Sequence, residues 1–276
     1  MEIEVLGGFA ARLGSTRIVP TAPKPRQVLA LLALKAGQLV PPAVLVEELW
    51  GAHPPRSART TLQTYVLRLR ELIDSALPGT AGGAPVRTAK DVLVTLPGGY
   101  LLDTADGTLD FREFERLSNE GYRAMEAGDH SNAARLLHTA LALWTGPALV
   151  DVEPGRHLHA QARRLEEARL CALDRRIEAD LILGRHRELL PELTVLVDQY
   201  DLHESLYGQF MLALYRAGRP GEALRVYQRL RSHLVRDLGL EPSAPVQRLQ
   251  QSILRASSEG SQELQLVAHQ TPAEVG

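Results

Sequence analysis

Along the first twenty residues apolar and polar positions alternate: Ile3 and Val5 stand against Glu2 and Glu4, then come Phe9, Ala11 and Leu13, with breaks at Gly7-Gly8 and Gly14. A period of two between glycine turns predicts a small antiparallel sheet with one face in water. From Pro25 the period changes. An apolar run from Pro25 to Ala36 opens on a proline and closes at Gly37, and Pro41-Pro42 to Trp50-Gly51 repeats that punctuation, so both segments are predicted helical. His53-Pro54-Pro55 breaks the chain, and Ser57 stands at the N-cap of a third helix running to about Ser75. Pro78-Gly79-Thr80-Ala81-Gly82-Gly83 reads as a flexible turn segment. Val92 to Leu96, Pro97-Gly98-Gly99 and Tyr100 to Leu102 then read as a β-hairpin. Sheet, three helices and hairpin, in that order within residues 1–104, predict a winged helix-turn-helix.

After Asp103 nearly every segment has helical period, and one phrase recurs. Ala127-Gly128-Asp129-His130, Leu183-Gly184-Arg185-His186 and Ala217-Gly218-Arg219-Pro220 each separate two helical stretches. The last two glycines are spaced as tetratricopeptide repeats are, and the longer first interval leaves room for one extra helix, which Gln161 to Ala172 could supply. Residues 105–256 therefore predict a tetratricopeptide-like domain of stacked helical hairpins, which cannot bury their faces singly. The chain is mainly α with a small β part. Residues 257–276, opening with Ser257-Ser-Glu-Gly-Ser, are expected to be a disordered tail.

Composition narrows the picture. With 276 residues, 45% hydrophobic and only 5% aromatic, the chain can bury an aliphatic core. A single cysteine, Cys171, excludes a disulfide framework and any multi-cysteine metal site and fits a reducing cytoplasm. No apolar run reaches membrane-spanning length, and the first residues lack an export-signal pattern. Residues 1–100 carry a net charge of +4 and the remainder −6. A mildly basic first part on an acidic second part is the balance of a nucleic-acid reader joined to a separate interaction domain.

The third helix holds the clearest chemistry. Leu62, Val66, Leu69 and Ile73 share one face. The opposite face gathers Ser57, Thr60, Thr61, Thr64, Leu67, Arg68 and Glu71, flanked by Arg56, Gln63 and Arg70. Threonine is a weak helix former, so three on one exposed side have no evident structural gain. Arginine can fork onto guanine, and threonine can meet a thymine methyl or a phosphate oxygen.

Lys24-Pro-Arg-Gln-Val-Leu-Ala-Leu-Leu-Ala-Leu-Lys-Ala-Gly37, Val46-Glu-Glu-Leu-Trp-Gly51, Ala58 to Arg70 and Pro97-Gly-Gly-Tyr100, in this order and spacing, resemble the Streptomyces antibiotic regulatory protein family. Phe210 to Leu224 and Leu238-Gly-Leu-Glu-Pro-Ser243 resemble that family's bacterial transcriptional activator domain. The resemblance covers residues 1 to about 256. It implies an OmpR-like winged helix and a transcriptional activator that binds direct repeats near a −35 element as a dimer or side-by-side pair. Such a regulator recruits RNA polymerase, chiefly through the sigma factor, to an antibiotic gene cluster. On that resemblance Thr60, Thr61, Thr64 and Arg68 would read bases. Lys24, Arg26, Arg56, Ser57, Arg59 and Gln63 would hold the DNA backbone, joined by Arg87 and Lys90 before the hairpin. Arg12 and Arg17 are candidates for contact with polymerase. The hairpin turn departs from a minor-groove reader, because Leu96-Pro-Gly-Gly99 has no basic side chain.

Other chemistry is thin. No phosphate-binding G-x-x-x-x-G-K-[ST] and no G-x-S-x-G occur, so an enzyme is not expected, and no cofactor is implied. His157-x-His159, near Asp151 and Glu153, is too sparse for a metal site. Two other classes stay open: a tetratricopeptide-like scaffold that uses its first domain only for docking, and a repressor gated by a small ligand held between the helices.

Overall fold

The structure, a computed structural model, describes residues 1–77 and 87–268, those from 257 by backbone alone. The glycine-rich segment expected at Pro78–Gly83 and the end of the expected tail, 269–276, lie outside the described residues. Two compact units form: residues 1–121 with 136–172, and residues 122–135 with those from 173 onward.

In the first unit, β1 (Glu2–Glu4), β2 (Ala10–Leu13) and β3 (Thr16–Arg17) form an antiparallel meander. Ile3 sits opposite Ala11 and both are fully buried, as the alternation requires. Three helices follow: α1 (Pro23–Leu34), α2 (Pro42–Trp50) and α3 (Ala58–Ala76), each packed on the other two. Every residue from Val28 to Leu34 is buried, so beyond its first turn α1 is a core helix without a solvent face. A short helix, α4 (Ala89–Val92), opens with a capping box in which Asp91 Oδ2 accepts from the Thr88 amide at 2.8 Å and hydroxyl at 2.7 Å. Those two bonds hold the Asp91 carboxyl below its ordinary pKa.

The hairpin strands β4 (Leu93–Leu96) and β5 (Gly99–Leu102) pair antiparallel, and Val40 bridges Tyr100 across the open edge of β5. Gly99 is required there, because a Cβ would stand 2.2 Å from the Val40 carbonyl oxygen. A last strand, β6 (Thr108–Leu109), returns to pair parallel with β1, giving the order β3-β2-β1-β6. This is the predicted winged helix-turn-helix, with β6 and α4 added.

The start of the helical region is bolted to this sheet and to α2 by three carboxylates. Asp110 heads α5 (Asp110–Glu126), and its Oδ2 accepts from the amides of Val5 at 2.7 Å and Leu6 at 2.9 Å. Burial outweighs these bonds and raises the Asp110 pKa. Asp151 accepts from the Phe9 amide at 2.6 Å and pairs with Arg26. Glu48, only 3% exposed on α2, caps the start of α7 (Arg156–Ile182) by accepting from the amides of Gly155, His157 and Leu158. A carboxylate at a helix N-terminus meets both the free amides and the positive end of the dipole. Between α5 and α7 lie α6 (His130–Leu141) and Trp144, which packs edge-on against Phe114.

The room in the longer repeat interval is filled differently from the expectation. Gln161–Ala172 is not a separate helix but the middle of α7, which runs 27 residues because no proline or glycine interrupts Arg156 to Ile182. The recurring glycines behave as the sequence predicts. Gly128, Gly184 and Gly218 have φ of +76°, +82° and +79°, the left-handed conformation that ends a helix.

In the second unit, α8 (Leu190–Gln199), α9 (Glu204–Arg216), α10 (Pro220–Leu238) and α11 (Ala244–Ala268) follow, with α9 packed against the other three. Leu193, Tyr207, Met211 and Leu230 form its core, and the Tyr207 hydroxyl donates to the Val197 carbonyl at 3.1 Å. Helix α11 continues to Ala268, through 257–268 where a tail was expected. A cleft of about 410 Å³ lies among α9, α11 and the end of α7, lined by Ile182, Gly208, Leu212, Val246 and Leu249. Among the described residues no helix is long and apolar enough to cross a membrane, and no three His, Cys, Asp or Glu side chains are grouped to hold a metal. His157 instead faces Glu47 at 2.9 Å, and its bond, with that of Arg156, lowers the Glu47 pKa.

Candidate nucleic-acid interface

The apolar stripe of α3 fixes which of its residues face out. Leu62, Val66, Leu69 and Ile73 are at most 3% exposed, which turns Thr60, Gln63, Thr64, Leu67, Arg68 and Glu71 into solvent. Thr61, at the edge of this face, is half-buried. Ser57 occupies the N-cap, but its side chain makes no capping bond, so its hydroxyl is free at the positive end of the helix. The Thr64 hydroxyl donates to the Thr60 carbonyl at 3.1 Å, leaving its oxygen as an acceptor and its methyl as an apolar surface.

Cations surround this face, and they differ in availability. Among the described residues, Arg56, Arg59 and Arg68 are exposed with no intramolecular hydrogen bond or ion pair, as is Lys90 on α4. Lys24 is engaged: its Nζ donates to the Leu49 carbonyl at 2.7 Å and sits 4.7 Å from the centre of the Trp50 ring. Arg26 is engaged more fully, with bonds to the Pro20 carbonyl at 3.1 Å, the Asp151 carbonyl at 3.1 Å and the Asp151 carboxylate at 3.2 Å. Arg87 donates to the Asp103 carbonyl at 2.6 Å and pairs with its carboxylate at 3.0 Å. Arg56, Arg59, Arg68 and Lys90, on and around α3, are thus available to a partner, while Lys24, Arg26 and Arg87 are bonded within the fold.

Sequence reasoning placed Arg70 beside the face without a task. Its Nη2 donates to the Leu93 carbonyl and to the Thr95 hydroxyl, both at 2.7 Å, which ties β4 of the wing to α3. Trp50 stacks on Tyr65 at 6.5 Å between ring centres and braces α2 against the middle of α3. Helix and wing are therefore held in fixed relation before any partner arrives. Of the polymerase candidates, Arg12 shares Glu4 at 3.3 Å, whereas Arg17 on β3 is exposed and unpartnered among the described residues.

Residues 16–89 match the model of the transcriptional regulatory protein C-terminal family, and residues 109–254 match the bacterial transcriptional activator domain. Regulatory protein DnrI of Streptomyces peucetius is 50% identical over 256 residues, 93% of each chain. Transcriptional regulator RedD of Streptomyces coelicolor is 37% identical, over 92% of this chain and 70% of its own. Among solved structures, Mycobacterium tuberculosis EmbR in complex with a low-affinity phosphopeptide superposes with a TM-score of 0.82 at 30% identity, over 99% of this chain and 72% of that one.

Proposed function

This chain belongs to the Streptomyces antibiotic regulatory protein family, with an OmpR-like DNA-binding domain and a bacterial transcriptional activator domain, and on that premise we propose that it activates a secondary-metabolite gene cluster. It binds directly repeated sites near the −35 element and holds RNA polymerase there through the sigma factor. The observation that carries this reading is the outer face of α3, where hydrogen-bonding side chains and unpaired arginines stand together on a helix braced by Trp50 and Arg70.

In this reading Thr60, Thr61, Thr64 and Arg68 meet base edges in the major groove. Arg56, Arg59, Ser57, Gln63 and Lys90 meet phosphates. Lys24, Arg26 and Arg87 contribute less, because each already spends donors on bonds inside the protein. Direct repeats call for two protomers in head-to-tail order about one helical turn apart. Arg17 is the better of the two polymerase candidates.

The rival readings predict different behaviour. A scaffold would bind DNA weakly and without sequence preference. A ligand-gated repressor would place its ligand in the 410 Å³ cleft of the second unit and block transcription. The test is a run-off reaction with purified polymerase on a promoter carrying the bound repeat ahead of a weak −35 element. A coupling of roughly 1–3 kcal/mol between protein and polymerase gives about a 5- to 150-fold rise in transcript. Unchanged or reduced transcript from fully occupied DNA contradicts activation.

A further inference from the structure

We propose that Leu67 reads the C5-methyl group of a thymine, and so sets one thymine in each half-site. The inference rests on α3 being the recognition helix. Leu67 is 57% exposed on that helix. At 100° per residue it lies within about 60° of Thr60, Thr64 and Glu71 around the helix axis. It therefore sits inside the face opposite the buried stripe of Leu62, Val66, Leu69 and Ile73.

Its surroundings identify what it meets. The surface neighbours at helical spacing are Gln63, Thr64, Arg70 and Glu71, all polar. A single aliphatic side chain among hydrogen-bonding groups makes no apolar patch of the size a protein partner covers. The unpaired cations Arg59 and Arg68 on the same helix, with Arg56 just ahead of its N-cap, match a polyanion instead. Base edges in the major groove offer donors, acceptors and one apolar group, the thymine methyl, which is the partner a leucine can desolvate without stranding a polar atom. Thr64 supports the contact. With its hydroxyl hydrogen on the Thr60 carbonyl, it presents a methyl and an acceptor beside Leu67.

Deoxyuridine deletes only that methyl and leaves pairing and the O4 acceptor in place. The experiment replaces each thymine of the selected site by deoxyuridine, one at a time, and measures binding by the full chain and by Leu67→Ala and Leu67→Gln. The wild type is expected to lose about fourfold in affinity at one thymine per half-site, the effect of one buried methyl-sized group. Both variants should bind thymine and uracil there equally well. If no deoxyuridine weakens wild-type binding, or if both variants keep the full loss, Leu67 does not read the methyl. A wild type that selects no sequence at all overturns the recognition-helix reading itself, and the inference with it.

Discussion

Replacing Glu48 by alanine is expected to lower the stability of the first unit by about 3–5 kcal/mol, the cost of stripping the partner from buried, satisfied polar groups. The carboxylate is 3% exposed. Its Oε1 accepts from the Gly155 amide at 2.6 Å and from Gln27 Nε2 at 3.2 Å. Its Oε2 accepts from the amides of His157 at 2.7 Å and Leu158 at 3.1 Å. Alanine leaves these donors at the start of α7 in a site where water has little access, because Gly155 packs against the Glu48 backbone so closely that a Cβ would stand 2.1 Å from the carbonyl oxygen. For a unit of this size the loss corresponds to a melting temperature roughly 10 °C lower. Glu48→Gln keeps one of the two acceptor oxygens, sets an NH2 donor against the amides that faced the other and loses the charge at the helix terminus, so it should also destabilise, by less than alanine, which strands all of these donors. Urea unfolding followed by circular dichroism measures both. A Glu48→Ala midpoint equal to that of the wild type would mean that the joint between α2 and α7 does not need this carboxylate.

The second large effect is on binding. Arg68→Ala is expected to lower affinity for the preferred site about 10- to 100-fold, the worth of one bidentate base contact, and to relax selection at one or two base pairs. Arg68 is exposed and has no intramolecular partner among the described residues, so the folded protein loses nothing by its removal. Arg59→Ala should differ in kind. It weakens all sequences alike and reduces the salt dependence by about one counterion, because a phosphate contact carries no sequence information. Titrations at several salt concentrations on preferred and scrambled duplexes separate the two. If Arg68→Ala weakened both duplexes equally, Arg68 would be a phosphate contact and the base-reading assignment would move elsewhere on α3.

How far the sequence foretold these features depends on how local they are. The boundaries of α1 and α2 follow from proline at the first turn and glycine beyond the last, and Gly37 and Gly51 indeed have positive φ. The buried stripe of α3 and the wing hairpin were equally legible, since each depends on residues a few positions apart. The fate of the cations was not. Whether Arg26 is free depends on Asp151, 125 positions away, and whether Lys24 is free depends on the Leu49 carbonyl in the last turn of α2. The parallel pairing of β6 with β1 is two residues long and joins distant segments, so no periodicity announces it. Helix α4 did carry a local sign, the Thr88 to Asp91 capping box, within a stretch that otherwise reads as loop. Glu48 and Arg70 look like surface charges in the sequence, and only the packing of α7 and β4 beside them reveals their tasks.

The central claim is that the outer face of α3 reads a repeated DNA sequence. Selection of bound duplexes from a random pool by the full chain, at roughly physiological salt, tests it most directly. The account predicts enrichment of one motif in two copies, same orientation, about one helical turn apart, and relaxed base preference when the selection is repeated with Thr64→Ala or Arg68→Ala. Folded protein that enriches no motif, or variants that enrich the same motif as strongly as the wild type, would contradict it.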